Sequence, residues 1–165
     1  MSAWIGIIGT IVGALLAGGL SWFNSRFQLR YQEARDRKRF FLSKLEELYE
    51  VLVQFKHSYT MLTLDQITTL VARQPFQKSE GPPVPIERLQ MLVGFYAPEL
   101  SPQLEQLLNS RKEYSQSLVE RVGLETKSET AIKNFFGDLR VREGGLTQAC
   151  DQMQKEVIAL SKKYL

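Results

Sequence analysis

The sequence predicts an all-α protein: a single N-terminal transmembrane helix, followed by an antiparallel helical bundle with a long helix continuing from the membrane. Three observations carry that expectation. An uncharged apolar run covers residues 3–23. Residues 24–74 contain neither proline nor glycine and repeat apolar side chains at helical spacing. No stretch alternates apolar and polar residues as a half-buried strand does. The chain divides accordingly into an anchor (residues 1–25), a basic juxtamembrane stalk (residues 26–44) and a cytoplasmic helical bundle (residues 45–165), with a proline- and glycine-rich loop at 75–85.

The anchor follows from length and flanks. Only Thr10 and Ser21 are mildly polar between residues 3 and 23. About 20 residues at about 1.5 Å rise cover about 30 Å, the thickness of a bilayer's hydrocarbon core. Trp4 and Trp22 fall near the two ends, where aromatic side chains mark membrane interfaces. A cleaved signal peptide would carry Lys or Arg ahead of the apolar run, and none precedes Trp4. The basic cluster lies after the run instead, as in a stop-transfer segment. On a helical wheel Gly6, Gly9, Thr10, Gly13, Ala14 and Ala17 share one face, with the large aliphatic residues opposite. Small faces of this kind let helix backbones approach closely in lipid, so the anchor is expected to pair with itself or with another transmembrane helix.

Charge sets the expected orientation. Residues 26–44 hold seven basic side chains (Arg26, Arg30, Arg35, Arg37, Lys38, Arg39, Lys44) against Glu33 and Asp36, a local net charge of +5 in a chain whose total is +3. The remainder is therefore net −2, and the basic balance belongs to the stalk alone. Basic flanks stay on the cytoplasmic side, which puts the N-terminus outside and the bundle in the cytoplasm, by prior that of a bacterial plasma membrane. The same residues suit anionic lipid headgroups. Nucleic acid is not an expected partner, because it would need a basic surface on the folded domain.

Beyond the stalk, Phe41, Leu45, Leu48, Leu52, Phe55, Tyr59 and Leu62 form a seam with alternating spacings of four and three. Phe40, Leu42, Tyr49 and Val53 widen its apolar face, which favours a bundle over a two-stranded coiled coil. A short helix is predicted over 86–96. The Ser101-Pro102 pair reads as an N-cap and first-turn proline opening another helix that ends near Gly123. Thr126 or Ser128 caps the last long helix, in which Gly144-Gly145 signals an interruption, as a bend, a close helix crossing or a simple break.

No catalytic or nucleotide-binding motif is present, and the one histidine, His57, and one cysteine, Cys150, lie far apart in sequence. Cys150 sits in an apolar helical pattern and reads as a buried thiol; Glu46, Glu47 and Glu50 read as a solvated acidic face. The expectation is a non-enzyme without cofactor or metal. In layout alone, one anchor, a charged stalk and a helical bundle, the chain resembles the peripheral-stalk subunit of ATP synthases and the inner-membrane spanins of phage lysis systems. It departs from the first by the break at Pro82-Pro83 and from the second by the predicted cytoplasmic domain. The expected function is a membrane-anchored interaction or scaffold protein that self-associates through its anchor and presents its bundle to a cytoplasmic partner. The alternatives are a membrane-perturbing, holin-like effector and a subunit of a larger membrane complex.

Overall fold

The computed structural model describes residues 2–75 and 84–164, with side chains described for Trp22 and from residue 24 onward. Four α-helices form it: α1 (Ser2–Val71), α2 (Ile86–Tyr96), α3 (Ser101–Glu120) and α4 (Glu129–Lys162). Two short 3-10 turns, Pro98–Leu100 and Leu124–Thr126, precede α3 and α4, and no strand occurs among the described residues. Two compact units are formed, Met1–Phe41 and Leu42–Leu165, with α1 contributing to both. Among the described residues no helix is long and apolar enough to cross a membrane. The side chains of Trp4, Gly6, Gly9, Thr10, Gly13, Ala14 and Ala17, on which the anchor and its packing face were predicted, lie outside the described residues.

The helix ends show how the local sequence sets the boundaries. α1 ends without glycine: Arg73 takes the left-handed conformation at φ +55°. The Gln74 amide reaches back to Thr69 O at 2.9 Å and the Arg73 amide to Leu70 O at 3.0 Å, the paired bonds of a Schellman cap. A left-handed non-glycine residue costs about 1–2 kcal/mol. Here the Arg73 guanidinium offsets part of that cost by donating to the carbonyls of Glu125 and Lys127 at 3.2 and 2.9 Å. Ser101 is the first residue of α3 rather than its cap; its hydroxyl donates to Pro98 O within the preceding 3-10 turn. Gly123 provides the turn after α3 at φ +78°, and Ser128 Oγ caps α4 by accepting from the Ala131 amide.

The predicted interruption at Gly144-Gly145 is absent. α4 runs through both glycines, and a Cβ built on either meets nothing within 4 Å, which also rules out a close helix crossing there. Two glycines cost about 2 kcal/mol of helix propensity. Burial of Leu139, Leu146, Ala149, Cys150 and Met153 on either side holds the helix together across them.

Cross-helix bonds in the second unit define the topology. Glu47 pairs with Arg88 and Lys44 lies over the Tyr96 ring, so α2 runs against α1. Tyr59 meets Arg111, Thr63 meets Tyr114 and Gln74 meets Arg121, so α3 runs with α1. Lys56 pairs with Asp151, and Arg142 with Glu120, placing α4 against both. The helices alternate up and down in chain order, α2 being a single short return.

The core lies along α1. Leu45, Leu48, Leu52, Phe55 and Tyr59 are buried, whereas Phe41 and Leu62 are half-buried. From Tyr59 the buried line steps to Thr63, Gln66 and Leu70 instead of Leu62. A 3.6-residue helix precesses by about 20° per heptad against a strict 3.5 repeat, and α1 follows its own period rather than supercoiling to keep the seam.

Candidate interaction surfaces

Among the described residues, exposed apolar side chains gather with charged ones on a surface of each unit. In the first, Trp22, Phe27 and Tyr31 are 61%, 68% and 62% exposed, interleaved with exposed Arg26, Arg30 and Arg35. The Arg26 guanidinium carbon stands 4.8 Å from the Trp22 ring centroid, and that of Arg35 6.0 Å from Tyr31. Aromatic rings with cations over their faces combine apolar body and charge in one band. Arg37, Lys38 and Arg39 continue the exposed basic segment, and among the described residues none of the six predicted headgroup-binding cations is in an ion pair.

In the second unit, a row of three depressions lies between α1 and α4. On α1 its line passes through Leu42, Glu46, Tyr49, Val53, Thr60, Leu64, Ile67 and Val71, spaced by fours and threes apart from one seven-residue step, so all lie on one face. Of the residues predicted to widen the apolar face, Leu42 and Tyr49 line a depression of this row, and Phe40, Tyr49 and Val53 are exposed rather than filling the bundle. One depression of about 380 Å³ is lined by Leu42, Tyr49, Val157 and Ile158 with Glu46 and Glu50 at its edge. A second, of about 340 Å³, lies among Thr60, Leu64, Ile67, Phe136, Arg140 and Glu143. It is followed by a third around Val71, Arg73, Lys133 and Phe136. The Lys56–Asp151 ion pair, at 2.7 Å, crosses from α1 to α4 between the first two.

The buried side of α1 carries polar groups that the hydrophobic pattern did not reveal. Arg111 Nε donates to Tyr59 Oη at 2.9 Å. Thr63 Oγ1 donates to Tyr59 O and lies 2.9 Å from Tyr114 Oη, so with the threonine proton used, the tyrosine donates. The Tyr59 and Tyr114 rings meet edge to face at 5.1 Å. Burial pushes both phenols above their ordinary range, Arg111 opposing the shift at Tyr59 and Thr63 at Tyr114. Arg121 is fully buried; Nη1 donates to Glu125 Oε2 and Nη2 to Gln74 O, each at 2.9 Å, while Nε and the buried Gln66 Oε1 have no protein partner. Only one sequence signal marked this region: Thr63, Gln66, Ser117 and Arg121 are polar at positions that continue apolar helical lines.

The remaining titratable groups are not brought together. Cys150 is buried and its thiol is pushed up to about 12, by burial first and by Asp151 second, with Lys56 opposing. His57 is exposed on α1, so the two share no site. Glu46, Glu47 and Glu50 do not form one acidic face: Glu47 is held below the usual carboxylate range by hydrogen bonds from Lys44 and then Arg88, while Glu46 and Glu50 border the first depression. Among the described residues no three His, Cys, Asp or Glu side chains converge as metal ligands would. No protein family, curated protein or solved structure matches the chain.

Proposed function

We propose that the chain is a membrane-anchored helical interaction protein: residues 1–25 attach it to a bilayer and self-associate, and the bundle presents a surface to a partner protein in the cytoplasm. The observation that carries this reading is the exposed basic and aromatic band from Trp22 to Arg39, which directly follows an uncharged apolar run in sequence. Free in water, such a band would leave large rings exposed; at a membrane surface its rings reach the interface while its cations meet anionic headgroups, each worth on the order of 1 kcal/mol. The row of depressions in the second unit supplies a surface for the partner, and the polar cross-links inside the bundle hold that surface in one register.

Membrane extraction tests the proposal. The full chain is expected to stay with the membrane pellet through alkaline carbonate and to leave it only with detergent, and a chain lacking residues 1–25 is expected in the supernatant. Release of the full chain by carbonate would overturn the anchored reading.

A further inference from the structure

We infer that Trp22, Arg26, Phe27 and Arg30 form a binding site for the phosphate of one net-anionic phospholipid, and that the cations from Arg35 to Arg39 take no part in holding it. This deepens the proposed function and rests on its reading of residues 1–25 as a membrane anchor.

The site is a depression of about 290 Å³ lined by those four side chains. Arg26 and Arg30 are one helical turn apart on α1, so their Cβ atoms are about 5–6 Å apart and both guanidiniums can close on one phosphate. The Arg26 guanidinium already stands 4.8 Å from the Trp22 ring centroid. That contact engages its charge and leaves its N–H groups able to donate. Among the described residues neither arginine is in an ion pair. Trp22 and Phe27, both mostly exposed, supply apolar walls for the glycerol and upper acyl chains of the same lipid. An inorganic anion would leave those rings in water, whereas a phospholipid covers them and meets the arginines together.

The next depression along the stalk has the opposite character. It is lined by Glu33, Asp36, Arg37 and Phe40, two carboxylates against one guanidinium, and repels the phosphate that the first attracts. The basic charge of the stalk is therefore divided, and only its membrane-side part is free of acid.

Height separates the two parts further. α1 is helical without interruption through the stalk, and residues 24–74 hold no proline or glycine at which it could fold back. With Trp22 at the interface, Arg26 and Arg30 lie about 6 and 12 Å beyond it along the axis, and Arg35 to Arg39 about 20–25 Å beyond it. Salt screens exposed charges over about 8 Å. Side chains on α1 lean toward its N-terminus, and so toward the bilayer, which brings Arg30 within that range and leaves Arg35 to Arg39 outside it. A tilt of about 20° lowers these heights by only about 1–2 Å.

The test reads the lipid beside Trp22. The full chain with Trp4→Phe, so that Trp22 is its one tryptophan, is reconstituted in mixed vesicles of phosphatidylcholine and phosphatidylglycerol, with one lipid or the other carrying brominated acyl chains. Quenching by brominated phosphatidylglycerol is expected to exceed its share of the vesicle, by about fivefold in relative affinity for each arginine engaged. Arg26→Gln/Arg30→Gln is expected to bring quenching down to the bulk composition. Arg35→Gln/Arg37→Gln, an equal loss of charge at exposed positions, is expected to leave the preference intact. An equal fall in both double variants would make the attraction a general property of the stalk and overturn the site. Displacement by excess inorganic phosphate at constant ionic strength would overturn the lipid as its occupant. Quenching in proportion to composition in the unsubstituted stalk would overturn the site while the anchored reading stands. No quenching by either brominated lipid, with release of the chain by carbonate, would overturn the anchored reading and the site with it.

Discussion

The two halves of α1 inside the bundle bury different chemistry. Between Leu45 and Phe55 its buried residues are Leu45, Leu48, Val51, Leu52 and Phe55, all apolar. From Ser58 to Gln74 the buried line carries Ser58, Tyr59, Thr63 and Gln66 before Leu70, and ends on the Gln74 carbonyl held by Arg121. The first half gains stability by removing apolar surface from water, which is non-directional and tolerates small slips between helices. The second half forms hydrogen bonds that exist at one alignment only. Sliding α3 by one turn would strand Arg111 and Tyr114 away from Tyr59 and Thr63 on α1, and Arg121, just past α3, away from Gln74. The apolar half therefore drives association, and the polar half selects the register.

The largest expected effect separates these roles in the apolar half. Phe55 is fully buried, its ring centroid 4.9 Å from that of Tyr59 at a tilt of 45°. Phe55→Ala is expected to cost about 3–5 kcal/mol from lost burial and the cavity left behind. Urea unfolding should show it as a lower midpoint with an unchanged slope, since the alignment of the helices survives. A changed slope would mean that the apolar half also sets the packing of the native state.

In the polar half, Arg121→Ala is expected to cost less, about 2–3 kcal/mol. It opens a cavity and leaves the Gln74 carbonyl without its donor. Arg121→Met retains most of the buried stem and removes the unpartnered Nε, so it is expected to lose less stability than the alanine variant. The specificity role predicts a further sign for both: weaker amide-exchange protection at Leu70 and Gln74, where α1 is tied to the turn after α3. Equal protection in wild type and variants would reduce Arg121 to a space-filling side chain.

Much of this arrangement was legible in the residues, and the gaps have physical causes. The all-α class and the helix at Ile86–Tyr96 followed from apolar periodicity and proline placement, which are local signals. The end of α1 did not: Arg73 takes a left-handed conformation that composition assigns to glycine, because tertiary bonds to Glu125 and Lys127 hold it there. Gly144-Gly145 looked like an interruption because propensity counts against it, yet core burial on both sides outweighs about 2 kcal/mol of propensity. The depressions between α1 and α4 were hidden for another reason. Leu42 and Tyr49 are apolar, and a sequence cannot distinguish an apolar side chain that fills a bundle from one that borders a depression at its surface. Buried Arg121 was missed because charge alone signals a solvated position; its pairing with Glu125 and Gln74 depends on where α3 ends against α1.

Cys150 gives the smallest and most local test, because it lies where the two halves meet. It neighbours Tyr59 and the Lys56–Asp151 pair, and burial followed by Asp151 raises its thiol from 9.0 to about 12. In the unfolded chain the thiol loses its proton at its ordinary value, while the native chain retains it. The unfolded state therefore binds fewer protons between those two values, and stability falls as pH rises through that window. Below pH 9.0 the contribution of the thiol is fully present. Cys150→Ala is expected to flatten this alkaline decline without abolishing it, because Tyr59 and Tyr114 are raised in the same direction and remain. Denaturant midpoints measured across the window in both proteins check the difference, and a parallel decline would remove Cys150 as a contributor. The same burial predicts that a disulfide-exchange reagent labels the native thiol at neutral pH only as fast as the bundle opens. Labelling at the rate of a free thiol would place the boundary between the two halves in solvent, and the division of labour between them would then begin further along α1, at Thr63.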